Sequence, residues 1–261
     1  MGLRQFIARV LGPATIDEVV LVSHVIAAEP GTMVDVGAHH GYAMDPFLRH
    51  GWTVYGFEPD PTNRQVLNSR HPEVAVDPRA VSETDGQSVS LFTSDVSTGI
   101  STLSPFHGTH APTATVQTVR LDTFLADRGI RDVDFLKVDI EGYDLYALRS
   151  FPWDAHHPRA VVCEFEDHKT VPLGHDVHDI AEFLEQHGYK VIVSEWEPIV
   201  EYGTAHTWKR FARYPTDISP DGWGNLIAVQ PELLEATERA GQWTIRRLRV
   251  RRWVDRLRGK A

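Results

Sequence analysis

Apolar residues along this chain fall into short blocks, and the spacing within each block separates strands from helices. Positions 16–28 (IDEVVLVSHVIAA) carry apolar side chains at helical spacing, with Thr15 as the N-cap and Pro30-Gly31 as the stop. Apolar runs at 32–36 (TMVDV), 52–57 (WTVYGF), 133–140 (VDFLKVDI), 160–165 (AVVCEF) and 189–194 predict buried strands. Further strands are predicted at 74–81, interrupted by Pro78, at 88–93 and at 116–121, and 225–229 (NLIAV) closes the sheet. Helices are predicted near 42–50, 62–69, 122–127 with Asp122 as cap, 142–149 and 177–187. Strands alternating with helices at this spacing build βαβ units. The expected fold class is therefore α/β, a mostly parallel sheet with helices on both faces. Ligands of such sheets sit at the carboxyl ends of the strands. Residues 94–115, rich in Ser, Thr, Gly, Pro and His, are too long for a plain connection and predict a functional loop.

Of the 261 residues, 42% are hydrophobic, which suits one catalytic domain with appendages rather than two small domains. The expected division is an N-terminal helical segment (1–30), a main domain (31–230) and a basic C-terminal helical tail (231–261). Cys163 is the single cysteine, so no intrachain disulfide forms, which fits a reducing cytoplasm. No apolar run approaches the roughly 20 residues of a bilayer span. Met1 to Pro13 is too short and basic for a signal peptide, and Phe6 stands where a myristoylation signal wants Ser or Thr. Charge is uneven: residues 244–261 carry a net of +7, which leaves −17 on the rest of a chain whose total is −10. An acidic body argues against nucleic acid or another polyanion at the active site.

The first strand turns into the first helix through Asp35-Val36-Gly37-Ala38-His39-His40-Gly41. A dinucleotide loop wants G-x-G-x-x-G, with its second glycine making room for a pyrophosphate. His39 stands at that place, which disfavours a nicotinamide oxidoreductase. D-x-G-x-x-x-G instead suits the amino-acid part of S-adenosylmethionine, with the acid facing an ammonium. The competing reading is a tight turn without a ligand. Glu58 ends the second strand, where a carboxylate can accept hydrogen bonds from both ribose hydroxyls.

The blocks VDVGAHHG (34–41), FEPDP (57–61), AVS (80–82), VRLDTFL (119–125), LKVDIEGYDLYAL (136–148) and GNLIAV (224–229) resemble the FkbM family of methyltransferases. The resemblance implies a class I methyltransferase, Rossmann-like fold, S-adenosylmethionine as donor and usually an oxygen acceptor on a sugar, oligosaccharide or related natural product. It implies that Asp35, Gly37, His39, Gly41 and Glu58 line the cofactor, with Ala80 of the AVS step beside them, and that Asp139 and Glu141 lie near the transferred methyl.

Asp139 and Glu141 end one strand and Glu164 and Glu166 the next, each pair two apart. Oxygen-rich clusters of this kind suit Mg²⁺. Asp139 with Glu164 or Glu166 is the expected metal set, and Glu141 or His168 the expected proton acceptor. Solvated strand-end acids are the bland alternative. His107 and His110 form an H-x-x-H pair without further zinc ligands, so they are expected to be loop histidines. Tyr202, Trp208 and Phe211 can stack on a sugar or pack a lid. Ile245, Leu248, Trp253, Val254 and Leu257 mark one face of a basic helix. Such a helix can lie on an anionic membrane, but an acidic body favours docking on the chain itself or in a homodimer. A catalytically silent protein that keeps the cofactor pocket is the remaining rival, disfavoured by the carboxylate cluster.

Overall fold

A computed structural model of the chain describes residues 15–257. The readings of Met1 to Pro13 and of the extreme C-terminus lie outside the described residues. The strands are β1 (Thr32–Val36), β2 (Thr53–Phe57), β3 (Ala75–Asp77), β4 (Ala80–Val81), β5 (Ser88–Thr93), β6 (Ala111–Val119), β7 (Phe135–Val138), β8 (Ala160–Glu166), β9 (Lys190–Trp196), β10 (Trp208–Arg213) and β11 (Trp223–Val229). The helices are α1 (Glu18–Ile26), α2 (Asp45–Leu48), α3 (Pro61–Arg70), α4 (Leu121–Arg128), α5 (Asp144–Arg149), α6 (Asp167–Thr170), α7 (Val177–Gln186) and α8 (Leu234–Leu257).

Eight strands form one sheet in the order β10-β9-β11-β8-β7-β1-β2-β3. The chain winds outward from β1 to β3 and then returns to β7 on the other side of β1, so the topological switch lies between β1 and β7. Neighbours from β3 across to β8 pair in parallel. β11 inserts between β8 and β9 antiparallel to both, rather than closing the sheet at an edge. β4, β6 and β5 form a small separate sheet.

Side chains alternate across the pleat, and both faces are covered. Val161 and Cys163 of β8 pack with Leu145, Ile180 and Leu184 on one side. Ala160 and Val162 pack with Leu21, Ile26 and Phe47 on the other. Burial on both faces is why these strands read as continuous apolar runs. Cys163 is fully buried, as its place in the core strand requires.

Several expectations shift at element ends. Asp17, not Thr15, caps α1, accepting from Val20 N at 2.9 Å. The helix expected at 42–50 is a 3₁₀ turn, Tyr42–Met44, followed by the four-residue α2. Arg120 is the N-cap of α4, and Asp122 lies in its first turn, paired with Arg120. β7 stops at Val138 because Asp139 to Gly142 turns back on itself. β6 takes up the end of the expected loop, and β10 is a strand that the pattern did not reveal. The basic tail is part of α8, which lies on the body with Gly241 against Phe211 and Leu248 clustered with Ile16 and Trp196.

Candidate active site

The carboxyl ends of β1, β2, β7 and β8 surround a cleft with about 870 Å³ of atom-free space, part of it open to solvent. Gly37, His39, Glu58, Ala80, Asp139, Glu141 and Glu164 are among its lining residues. Gly37 has φ +82°, and a Cβ there would lie 1.8 Å from the Asp139 carbonyl oxygen. Only glycine lets β1 leave the sheet so close to β7. His39 follows at φ 47°, a left-handed position that turns its N–H toward Glu58. Glu58 Oε2 accepts that N–H at 2.7 Å, and Oε1 accepts Asp60 N at 2.8 Å. The acid after β2 is thus locked, with both oxygens oriented. Burial pushes the Glu58 carboxyl up to about 7, against the two backbone hydrogen bonds.

The His39 ring stacks on His40 at 3.7 Å and bonds Thr98 Oγ1 at 2.9 Å. Burial, reinforced by His40, pushes its pKa down to about 4, so the ring is neutral at pH 7. Asn63 Nδ2 donates to Thr98 O at 2.9 Å, and His110 Nε2 bonds Ile100 O at 2.8 Å. Thr102 Oγ1 donates to Glu141 O at 3.0 Å. The first part of the long Ser/Thr loop is therefore stitched across the cleft as a wall. His110 also accepts from the Phe106 and His107 amides, which makes this histidine a loop pin.

Asp35 is fully buried and does not line the cleft. Its register partner on β7 is Lys137, whose Nζ lies 3.2 Å from Asp35 Oδ1, 3.3 Å from Asp139 Oδ2 and 3.1 Å from Gly37 O. Burial alone would lower the Lys137 pKa, but Asp139 and Asp35 outweigh it and hold the ammonium charged. Asp35 consequently reaches the cleft only through Lys137, which fixes Asp139 and the Gly37 carbonyl. Gly41 is also off the cleft wall: it has φ +78° and packs toward His71.

Beyond β7 the chain makes a tight turn. Asp144 at the start of α5 accepts Ile140 N at 3.2 Å and Gly142 N at 3.0 Å. That clamp holds Glu141 at φ 59°, an uncommon conformation for a side-chain-bearing residue. Glu141 then meets Lys169 of α6, whose ammonium also lies 3.3 Å from Glu164 Oε2 and 2.7 Å from Glu166 Oε2. Lys169 is 5% exposed. The rings of Phe106 and Tyr202 flank its Nζ at 5.0 and 6.0 Å, and Tyr202 OH donates to Glu166 Oε1 at 2.8 Å. Burial pushes the Glu141 carboxyl up to about 7, with Lys169 opposing. Burial and then Glu141 push Glu164 well above the usual carboxylate range. One cation facing three carboxylates leaves the cluster acidic, and protonation of Glu164 relieves part of that excess.

The residues expected to act together do not all share one wall. Oxygens of Asp139, Glu141 and Glu164 lie within 4.8 Å of one another. Glu166 is outside that trio and, with the exposed His168, lines a second hollow that also includes Ile199, Tyr202 and Asp221. Lys169 binds carboxylates from both hollows and so stands between them. Sequence reasoning missed Lys137, Lys169 and the clamp role of Asp144. A lysine inside the apolar run VDFLKVDI was a legible signal, since a charge on a strand buried on both faces needs a partner.

The switch point between β1 and β7, the antiparallel strand inside the sheet, and the glycine-walled cleft with its strand-end acid define a class I methyltransferase. A family model described as the methyltransferase FkbM domain matches residues 35–191, and the chain belongs to this family of S-adenosylmethionine-dependent methyltransferases. No curated protein matches the sequence. Similar solved structures include precorrin-6y C5,15-methyltransferase from Geobacter metallireducens, at 12% identity over 82% of this chain and 87% of that one, with a TM-score of 0.44. Magnesium protoporphyrin IX methyltransferase from Synechocystis PCC 6803 with bound S-adenosylmethionine is 13% identical over 88% and 85%, with a TM-score of 0.42. The 1,6-didemethyltoxoflavin-N1-methyltransferase of Burkholderia thailandensis is 15% identical over 84% and 77%, with a TM-score of 0.40.

Proposed function

We propose that the chain methylates a hydroxyl of a neutral, polyhydroxylated acceptor, a sugar or oligosaccharide, with Glu141 as the proton acceptor. The observation that carries this reading is the buried carboxylate of Glu141, held at φ 59° on the cleft wall with its pKa near 7. Its affinity for a proton is matched to removing one near neutral pH. S-adenosylmethionine fits the first cleft, with its ribose diol on Glu58 and its sulfonium near Asp139. The acceptor approaches from the second hollow, where Glu166, Asp221 and Tyr202 offer partners for hydroxyl groups and repel phosphates. As the acceptor oxygen bonds to the methyl carbon, the carbon–sulfur bond breaks, the hydroxyl proton passes to Glu141, and neutral S-adenosylhomocysteine leaves. Most of the acceleration then comes from in-line positioning of a donor that is already activated. Methyl transfer measured against mono- and disaccharides, partly methylated mannosides included, tests the reading; transfer only to nitrogen or carbon acceptors overturns it.

Glu58 makes cofactor affinity depend on pH. Its ionised form accepts the ribose hydroxyls, and burial places its titration at about 7. Affinity for S-adenosylhomocysteine is expected to rise by up to about tenfold between about pH 6 and about pH 8. In Glu58→Gln the rise should vanish and affinity should be low throughout, as isothermal titration would show.

We read the positive charge of the site as that of Lys169 rather than of a magnesium ion on Asp139, Glu164 and Glu166. The ammonium already pairs with Glu164 and Glu166, two of the three donors expected for the metal. Methyl transfer is expected to persist in excess chelator within about twofold. A loss of more than about tenfold that Mg²⁺ restores would return the metal to the mechanism.

A further inference from the structure

We propose that the outer face of α8 seats the protein on an anionic lipid surface. Gly241 and Leu248 turn one face of this helix onto the body. Arg246, Val250 and Trp253 follow one another at spacings of four and three, which puts them on one stripe of the opposite face, and Trp243, whose ring packs edge-on to His24 of α1, borders that stripe. Trp243, Val250 and Trp253 are 48%, 47% and 61% exposed. Arg246 and Arg249 are exposed beside them. From 239 to 254 the chain has six arginines and no acid.

Indoles and a valine interleaved with arginines match the boundary of a bilayer, where rings settle at headgroup level and guanidinium groups meet phosphates. The net −17 on residues 1–243 repels the same surface, so charge orients the molecule with this helix toward the lipid. None of the described helices is long and apolar enough to cross a membrane, so the contact is peripheral. Leu248 clusters with Trp196, and Trp223 packs against that cluster while pairing with Glu166 across the sheet. The basic part of the helix therefore lies toward the same strand ends of the sheet, those of β8, β9 and β11, that border the second hollow. Seating it on lipid would bring that hollow to the surface, which suits an acceptor presented there.

The test is flotation of the full chain with vesicles of phosphatidylcholine alone and of phosphatidylcholine mixed with phosphatidylglycerol, at low and high salt. Binding is expected only to the mixed vesicles and is expected to weaken with salt. The double variant Arg246→Glu, Arg249→Glu should lose more than about tenfold in affinity. Val250→Ser with Trp253→Ser should weaken binding at high salt most, and both variants should melt with the parent. Failure of the parent to float with anionic vesicles at low salt overturns the proposal. So does a dimer in solution that the charge reversal splits while the parent ignores vesicles, which would assign the stripe to a second copy of the chain. Neither outcome bears on methyl transfer, which is read separately with a soluble acceptor.

Discussion

Replacing Lys169 by methionine is expected to destabilise the protein by about 3–5 kcal/mol and to abolish methyl transfer. Methionine fills the space of the lysine stem, so the loss isolates the charge. Lys169 is nearly fully buried, and Glu141, Glu164 and Glu166 all turn their oxygens to it. Without the ammonium, these carboxylates must be buried bare or take up protons. The lysine's own high pKa shows the coupling: burial disfavours its charge, yet the three acids hold it well above its ordinary value. The deficit should shrink as pH falls. Burial pushes the Glu141 carboxyl up to about 7 and Glu164 well above the usual carboxylate range, and a protonated carboxyl no longer needs the counter-charge. Urea unfolding of parent and variant at several pH values checks both the size and the sign. A second variant separates charge from packing. Adding Glu164→Gln to Lys169→Met removes one of the stranded acids and should recover part of the stability, a coupling visible in a double-mutant cycle. No recovery, or a pH-independent deficit, would mean that Lys169 matters as an apolar stem alone.

How much of this site could be read in the chain depends on how local each part is. The glycine loop and Glu58 were legible because backbone demands at the end of β1 act over a few residues: Gly37 must be glycine beneath the Asp139 carbonyl. The main strands were legible because burial on both faces leaves an unbroken apolar run. β10 was not, because its sequence WKRFAR sits half-buried at the sheet edge and mixes charges with aromatics. Arg210 and Lys209 there both pair with the buried Glu195 of β9, a contact that no spacing rule announces. Lys169 was hidden for the same reason. Three residues after Glu166 it reads as a solvated helix charge, and it is enclosed by Glu141 in the turn after β7 and by the rings of Phe106 and Tyr202, all distant in sequence. Asp35 was expected against the cofactor, but its pairing with Lys137 depended on the register of β1 against β7.

That enclosure bears directly on the proton transfer. Glu141→Gln is expected to lower kcat by about 10²–10⁴ while leaving S-adenosylmethionine affinity within about threefold. The amide keeps the size of the side chain, and the turn beneath it is held by Asp144, not by the Glu141 carboxyl. The substitution removes the capacity to take a proton and one of the three charges that face Lys169, whose ammonium keeps Glu164 and Glu166. In the parent, kcat should rise with pH and level off, since the carboxylate must be ionised to act. The free side chain titrates near 7 because burial opposes its charge, and a bound sulfonium favours that charge, so the limb should fall at or below pH 7 in the ternary complex. In Glu141→Gln this limb should disappear. Asp139→Asn offers the contrast. Its carboxylate is 38% exposed and tied to Lys137, and with the sulfonium placed as proposed its loss should appear first in cofactor affinity. Should Asp139→Asn erase the pH limb and Glu141→Gln leave it intact, the proton goes to Asp139, and the left-handed turn at Glu141 serves only to anchor Lys169.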